Sequence, residues 1–293
     1  MKRLAIINPW SGHGKTGRML SVIQDALKNI ASEQVITRYP GHCKEAAQAG
    51  RDFDSIIAVG GDGTICEVVN GMDFNRQTLA IIPSGTGNSL ARDFNLHTLA
   101  QSVAIAANAA PSLLDLVKFN FTTVAGKSDE WYCTSTASMG YAARVTLLAN
   151  RRLKKLGVFC YPVASLACAL FPQRMPAQIA YDNGTSSQKL LTGIMIQNAR
   201  HAANFELFPF ARLDDGLFDV MELNAGFAQQ TLHNISVLSR LHFYMPGVVR
   251  RAVAMRITPA FPQTLMIDGE IIPDITDLTI TIVPAKLKCC LKI

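Results

Sequence analysis

The sequence predicts an α/β protein: a doubly wound α/β domain at the N-terminus, followed by a second part built mostly of strands. Two observations lead there. In the first 120 residues or so, short apolar runs alternate with helical patterns, as a mostly parallel sheet with helices on both faces requires. After residues 113–119 (LLDLVKF) the texture changes to β-branched and aromatic runs punctuated by turn residues. A length of 293 residues also exceeds a typical single core, which favours two domains.

The elements follow in order. LAIIN reads as a first strand, followed by a glycine-rich turn and an amphipathic helix over 19–30. VIT is a second strand, with a short helix around Ala46 after it. SIIAVG leads through GGDGT into a helix reaching Val69, and LAIIP leads through SGTGN into a helix reaching Arg92. Ligands of such a sheet bind beyond the carboxyl ends of its strands. In the second part, Asn183-Gly184 within QIAYDNGTSSQKLL is a strong hairpin marker. Two helices are expected among the strands, near 151–170 and over 227–244. The change of pattern puts the boundary near 120–127, giving domains of 1–124 and 125–283.

Composition narrows the function. The net charge is +6, which suits an anionic partner such as nucleotide phosphate or an anionic membrane surface. Nucleic acid is not expected, because the chain has no zinc-finger spacing, no RNA-recognition signature and no basic run interleaved with aromatics. Seven scattered cysteines without a C-x-x-C pair argue against a disulfide frame and a structural zinc site, and fit a reducing cytoplasm. The apolar run before Asn8-Pro9 is too short for a signal peptide core. The most apolar stretch, 156–171, is interrupted by Pro162 and falls short of the roughly 20 residues that span a bilayer.

Three strand-to-helix turns hold the chemistry. The first, NPWSGHGKTG (residues 8–17), matches G-x-G-x-x-G at Gly12, Gly14 and Gly17, but Thr37-Arg38 stand where a dinucleotide fold needs an acid. A P-loop ending at Gly14-Lys15-Thr16 would need glycine where Pro9 stands. The second turn, Gly60-Gly61-Asp62-Gly63-Thr64, opens a helix with backbone N–H groups and dipole aimed at a phosphate, and places a carboxylate where glycines permit close approach. The third, PSGTGN, offers Thr86, Asn88 and backbone amides to ribose or phosphate. His13 lies in the first loop within reach of a phosphate; no other histidines share ligand spacing.

These residues carry a resemblance. NPWSG, GGDGTICEVVNG, PSGTGNSLARDF, LLDLVKF, RLDDGLFDV and IDGE together resemble the diacylglycerol kinase catalytic family, soluble lipid kinases that include the sphingosine kinases. The resemblance spans most of the chain. It implies an ATP-binding α/β domain, a C-terminal, mostly antiparallel β-sandwich domain for a lipid, a cleft between them, and residues 284–293 returning to the first domain. It implies that ATP meets Asn8, Thr37, Gly60, Gly61, Asp62, Gly63, Thr64, Thr86 and Asn88. Glu270 matches the family's proton acceptor, Asp62 lies at the phosphates, and Asp115 borders the acceptor site. Mg²⁺ is expected at Asp215 with the carbonyls of Arg212 and Leu217. One departure stands out: many members have Asp after the GTGN asparagine, where this chain has Ser89.

Read without the resemblance, IDGE is also a plausible tight turn and DDG is common turn chemistry. FELFPF (residues 205–210) suits either a lipid pocket or core packing. Arg151-Arg152-Leu153-Lys154-Lys155 and the apolar run after it have the makings of an interfacial helix, so a peripheral place at the inner face of the membrane is one expectation. Oligomeric state stays open, with a homodimer as one outcome. The competing functions are an NAD kinase-like enzyme acting on a soluble acceptor, and a non-catalytic lipid- or nucleotide-binding regulator.

Overall fold

A computed structural model of the chain describes residues 1–153, 159–202, 205–239, 244–245 and 247–291. The predicted alternation opens the chain: β1 (Arg3–Ile7), α1 (Ser11–Arg18), α2 (Leu20–Leu27), β2 (Glu33–Ile36), α3 (His42–Ala49), β3 (Ser55–Gly60), α4 (Asp62–Val69), β4 (Thr78–Pro83), α5 (Ser89–Asp93) and α6 (Leu99–Asn108). The four strands are parallel in the order β2-β1-β3-β4. Every residue of β3 is buried, as expected of a central parallel strand covered on both faces.

The second part opens with β5 (Pro111–Thr123), β6 (Ser128–Cys133), β7 (Thr136–Gly140), α7 (Tyr141–Leu148), a π-helical turn (Ala149–Leu153), α8 (Cys160–Leu170), β8 (Met175–Tyr181) and β9 (Ser186–Leu191). It continues with β10 (Gly193–Gln197), β11 (His201–Ala202), β12 (Phe205–Glu206), β13 (Phe218–Leu223), α9 (Phe227–Leu238), β14 (Gly247–Ala252), β15 (Ala254–Pro259), β16 (Gln263–Ile267) and β17 (Glu270–Cys290). Strand pairing here is antiparallel. The Asn183-Gly184 turn joins β8 to β9, with Gly184 at φ 79° supplying the left-handed residue such a turn needs. Helix starts earlier than the sequence indicates: α7 follows β7 directly at Gly140, whose φ of 79° turns the chain out of the sheet. The basic pair Lys154-Lys155 and residues 240–243 of the expected second helix lie outside the described residues.

β17 ties the parts together. Its first residues pair with β16, its middle with β15 and β5, and Cys289 and Cys290 run parallel to Leu79 and Ala80 of β4. The long β5–β17 ribbon therefore crosses two cores. Leu114, Leu116, Leu287 and Cys289 pack in the core of the parallel sheet, whereas Val117, Phe119, Leu278 and Ile280 pack in the antiparallel one. The core thus changes between Leu116 and Val117, inside a strand and a few residues before the sequence texture does. No helix among the described residues is long and apolar enough to cross a membrane.

Candidate active site

The three turns converge at the carboxyl edge of the parallel sheet, where strand ends leave backbone groups unpaired. Asn8, just beyond β1, donates through Nδ2 to Thr64 Oγ1 at 3.0 Å and accepts the Trp10 N–H at 3.0 Å. Thr37, beyond β2, is buried and donates its N–H to Ile7. The Gly60 carbonyl accepts the N–H groups of Ser84 and Gly85 at 2.8 and 3.2 Å. A Cβ on Gly61 would stand 3.0 Å from the Cα of Gly85, and one on Gly85 would collide with Gly61, so both loops need glycine to pass each other. Asn88, at φ 55°, brackets Gly85, accepting its N–H at 2.9 Å and donating to its carbonyl at 3.0 Å. Thr86 Oγ1 meets His13 Nδ1 at 3.3 Å, bridging the first and third loops. The side chains of Asn8 and Asn88 thus brace the loops.

Three acids gather beside these loops. Asp62, in the first turn of α4, accepts the Ser89 N–H at 2.6 Å. Burial, opposed by that hydrogen bond and reinforced by the charge of Asp268, pushes its carboxyl up to about 6. Asp268 and Gly269, both at positive φ, form the tight turn between β16 and β17, so the IDGE hairpin is present. Asp268 accepts from Cys133 Sγ, from both the N–H and the hydroxyl of Thr134, and from the N–H groups of Ser135 and Thr136. Those five donors hold the turn rigid and oppose a pKa that burial raises. Glu270 then leads off β17. Its carboxyl is also raised, first by burial and then by the charges of Glu67 and Asp268. A Cβ on Gly63 would come within 3.3 Å of Glu270 Oε1, so the α4 start and Glu270 lie side by side.

Asp62, Gly63, Ser89, Asp268 and Glu270 line a cavity of about 460 Å³ whose remaining walls are largely apolar, with Tyr141, Val145, Met195, Leu207 and Leu223 among them. The aromatic set divides: Phe205 and Leu207 face this cavity, while Phe208 is fully buried in core. Sequence reasoning passed over Asp268 as an anchor and Ser135 and Thr136 as its donors. The run of small polar residues TSTAS was the available marker.

Two other expected site residues sit elsewhere. Asp115 is not among the cavity-lining residues. It is buried opposite a bulge in β17, where its oxygens accept the N–H groups of Gly216 and Ala285, each at 2.7 Å. Asp115→Ala would take the acceptor from two part-buried N–H groups, so a loss of about 2 kcal/mol is expected in denaturant unfolding. An unchanged midpoint would return Asp115 to a substrate role.

Asp215 pairs with Arg251 and accepts the Leu217 N–H at 3.2 Å, and the Arg212 side chain turns to Asp214. With its charge already matched by a guanidinium, Asp215 does not fit a divalent cation as it stands. Among the described residues, no three His, Cys, Asp or Glu side chains group as a metal site. Asp62, Asp268 and Glu270 differ from Asp215 in pairing with no basic side chain among the described residues. Asp62 therefore fits a cation that arrives with phosphate oxygens as its other ligands.

The model of the diacylglycerol kinase catalytic domain matches residues 2–119. A diacylglycerol kinase of Bacillus subtilis is 30% identical over 284 residues, covering 92% of this chain and 90% of its own length. One from Staphylococcus aureus is 30% identical over 283 residues, covering 92% and 86%. The crystal structure of a Bacillus anthracis diacylglycerol kinase superposes with a TM-score of 0.78 at 22% identity, over 99% of this chain and 97% of that one, and so shares the fold. With a 30% identical relative matched along most of both chains, this protein belongs to the diacylglycerol kinase family.

Proposed function

We propose that the protein transfers the γ-phosphate of ATP to the hydroxyl of a lipid, with Glu270 as the general base. The supporting observation is one of placement: Glu270 and Asp62 share an apolar-walled cavity that opens beside the glycine loops. In this reading the backbone amides at Gly61–Gly63 and at Thr86 and Gly87 and the N-terminus of α4 hold the phosphates. Glu270 accepts the hydroxyl proton as the lipid oxygen bonds to the γ-phosphorus, the bond to the bridging oxygen breaks, and ADP leaves. Mg²⁺ carried on the phosphates beside Asp62 would supply the positive charge those oxygens need. The apolar walls receive an acyl chain and keep water from competing for the phosphoryl group.

The test is transfer of labelled γ-phosphate from ATP with Mg²⁺ to detergent-dispersed diacylglycerol, to sphingosine and to soluble NAD. Label in a lipid supports the reading. Label in NAD alone would replace it with the soluble-acceptor kinase, and label in none would favour the non-catalytic regulator.

The acceptor is taken from an anionic bilayer. Residues 131–181 contain Arg144, Arg151, Arg152, Lys154, Lys155 and Arg174 and not one acid, a local charge equal to the net charge of the chain. On α8, Tyr161, Pro162 and Ser165 face the cavity, whereas Val163, Leu166 and Leu170, with Phe171 after them, are exposed. On α9, Gln230, His233 and Asn234 face the cavity, and Leu232 and Ile235 are exposed. Apolar side chains beside a basic surface suit the boundary of anionic headgroups. Leu166→Glu/Leu170→Glu, on exposed positions, is expected to cut cosedimentation with phosphatidylglycerol vesicles at least about tenfold, each glutamate opposing both burial and surface potential. Equal binding by the variant would refute docking through this face.

A further inference from the structure

Ser89 removes an acid from the start of α5, yet the helix keeps one. Asp93 follows four residues later, about one turn along the same face. It lines no part of the cavity. Instead its nearly buried carboxylate reaches across to the second half of the chain, where Oδ2 accepts the Arg200 N–H at 3.0 Å and Oδ1 pairs with His201 Nδ1.

These contacts close a circuit. Ser89, the first residue of α5, donates its N–H to Asp62 at 2.6 Å, and Asp93, the last, holds His201. The His201 carbonyl accepts the Ser135 hydroxyl at 2.8 Å, and the Ser135 N–H donates to Asp268 Oδ1 at 2.9 Å. Asp268 and Gly269 form the turn from which Glu270 projects. Among the residues of this circuit, Asp93 and His201 do not line the cavity where a substrate would sit, while the residues on either side of them do.

We infer that the Asp93–His201 pair is a positioning link that sets Asp62, on the nucleotide side, against Glu270, on the acceptor side; the inference rests on the kinase reading. The two acids belong to different cores. Leu90 and Ala91 anchor α5 in the parallel sheet's core, and Ile267 anchors the turn in the antiparallel one. Proton transfer and phosphoryl transfer must be aligned within a fraction of an ångström, and misplacement by about 1 Å from a distant change can cost about 10² in rate. Both acids therefore depend on what joins the cores beside them, and this pair is such a joint. The charged groups around it are Arg92 on α5, Arg200 beside His201, and Glu206, which stands opposite His201 across the β11–β12 hairpin. Burial raises the Asp93 carboxyl, and the hydrogen bond and charge of His201 pull it back down, so the link is electrostatic as well as steric.

The experiment compares wild type with Asp93→Ala, His201→Ala, His201→Asn and the double alanine variant, each at a temperature well below its measured unfolding midpoint. Expected is a loss of kcat of about tenfold or more in either alanine variant, from the cost of misalignment, with KM for ATP within about twofold. His201→Asn, whose amide can still donate to Asp93, should recover most of the loss. The double variant should be no worse than the poorer single one, because residues acting as one unit are not additive. Unchanged kcat in folded variants, a change confined to KM, or additive losses would overturn the inference. A second readout, independent of turnover, is amide hydrogen exchange at Ser89, whose N–H donates to Asp62, and at Ser135 and Thr136, whose N–H groups donate to Asp268. Exchange at these amides should quicken in Asp93→Ala and return towards the wild-type rate in His201→Asn compared with His201→Ala. Exchange that ignores Asp93 would overturn the inference, whereas a wild type without turnover whose exchange does respond would remove the kinase reading and leave the link standing.

Discussion

Replacing Glu270 by Gln is expected to lower kcat by about 10²- to 10⁴-fold, the usual contribution of a general base, with little change in KM and an unfolding midpoint no lower than that of the wild type, since a carboxyl whose pKa is raised in the fold is ionised at a cost the amide does not carry. The amide keeps the shape and polarity of the side chain, and no hydrogen bond of the β16–β17 turn depends on the Glu270 carboxylate. Only its capacity to take a proton is lost. The pH dependence carries a second check. Burial and the charges of Glu67 and Asp268 hold Glu270 above its ordinary 4.5, so the base is protonated, and idle, to a higher pH than an exposed glutamate would be. The rate should therefore rise with pH along an acid limb whose midpoint lies above 4.5, and that limb should flatten in Glu270→Gln. A variant with normal turnover would end the base assignment and leave Glu270 as a turn residue.

Asp62→Asn should separate activity from stability. Asparagine still accepts the Ser89 N–H, so the loop between β3 and α4 is expected to survive, while the charge proposed to face the phosphates and their cation is gone and turnover should fall by about 10² or more. Stability should move the other way. The folded carboxyl titrates near 6 against an ordinary 3.8. A raised acid pKa means that the native state holds the proton more tightly than the unfolded chain, so ionising Asp62 costs folding energy that grows as pH rises from about 4 through 6 and is constant above that. At about 1.4 kcal/mol per unit, the penalty at pH 8 is of the order of 3 kcal/mol. Asp62→Asn removes it. Denaturant unfolding should show the variant more stable than wild type at pH 8, with the difference fading towards pH 4. A variant less stable at pH 8 would mean that Asp62 is a structural cap rather than an acid held at a cost for function.

Much of the first hundred residues was legible because the information there is local. An apolar run followed by Gly-Gly-Asp-Gly-Thr dictates its own strand, turn and helix, and the four parallel strands follow from that alternation. The hairpin at Asn183-Gly184 was legible for the same reason, since a turn needing positive φ advertises itself in its residues. The IDGE segment was legible only as two competing readings, turn or base, and the structure has the turn: Asp268 and Gly269 bend the chain, and Glu270 emerges from the bend into the cavity. The start of α7 at Tyr141 was missed because YAARVTLL is short and follows the strand residues TASMG without a capping side chain, and only the left-handed Gly140 marks the exit from the sheet.

Asp115 and Asp215 show where reading by motif runs out. Each lies in a segment that resembles the family, yet a carboxylate's work depends on which donors face it. For Asp115 these are backbone groups from two loops brought together by the bulge in β17, and for Asp215 they include a guanidinium from β14. Neither neighbour is near in sequence.

The sequence by itself determined most elements of the first domain, the glycine loops and the family resemblance, because local sterics and short-range turn chemistry decide those. Only the tertiary structure decided that Asp62 and Glu270 share one cavity, that Asp268 anchors the turn between them, and that Asp93 is tied to His201. Those arrangements follow from the register of β17 against β4, β5 and β16 and from the packing of two cores on either side of it. Strand pairing between distant segments is set by the summed burial of both faces, a property of the folded whole that no window of sequence contains.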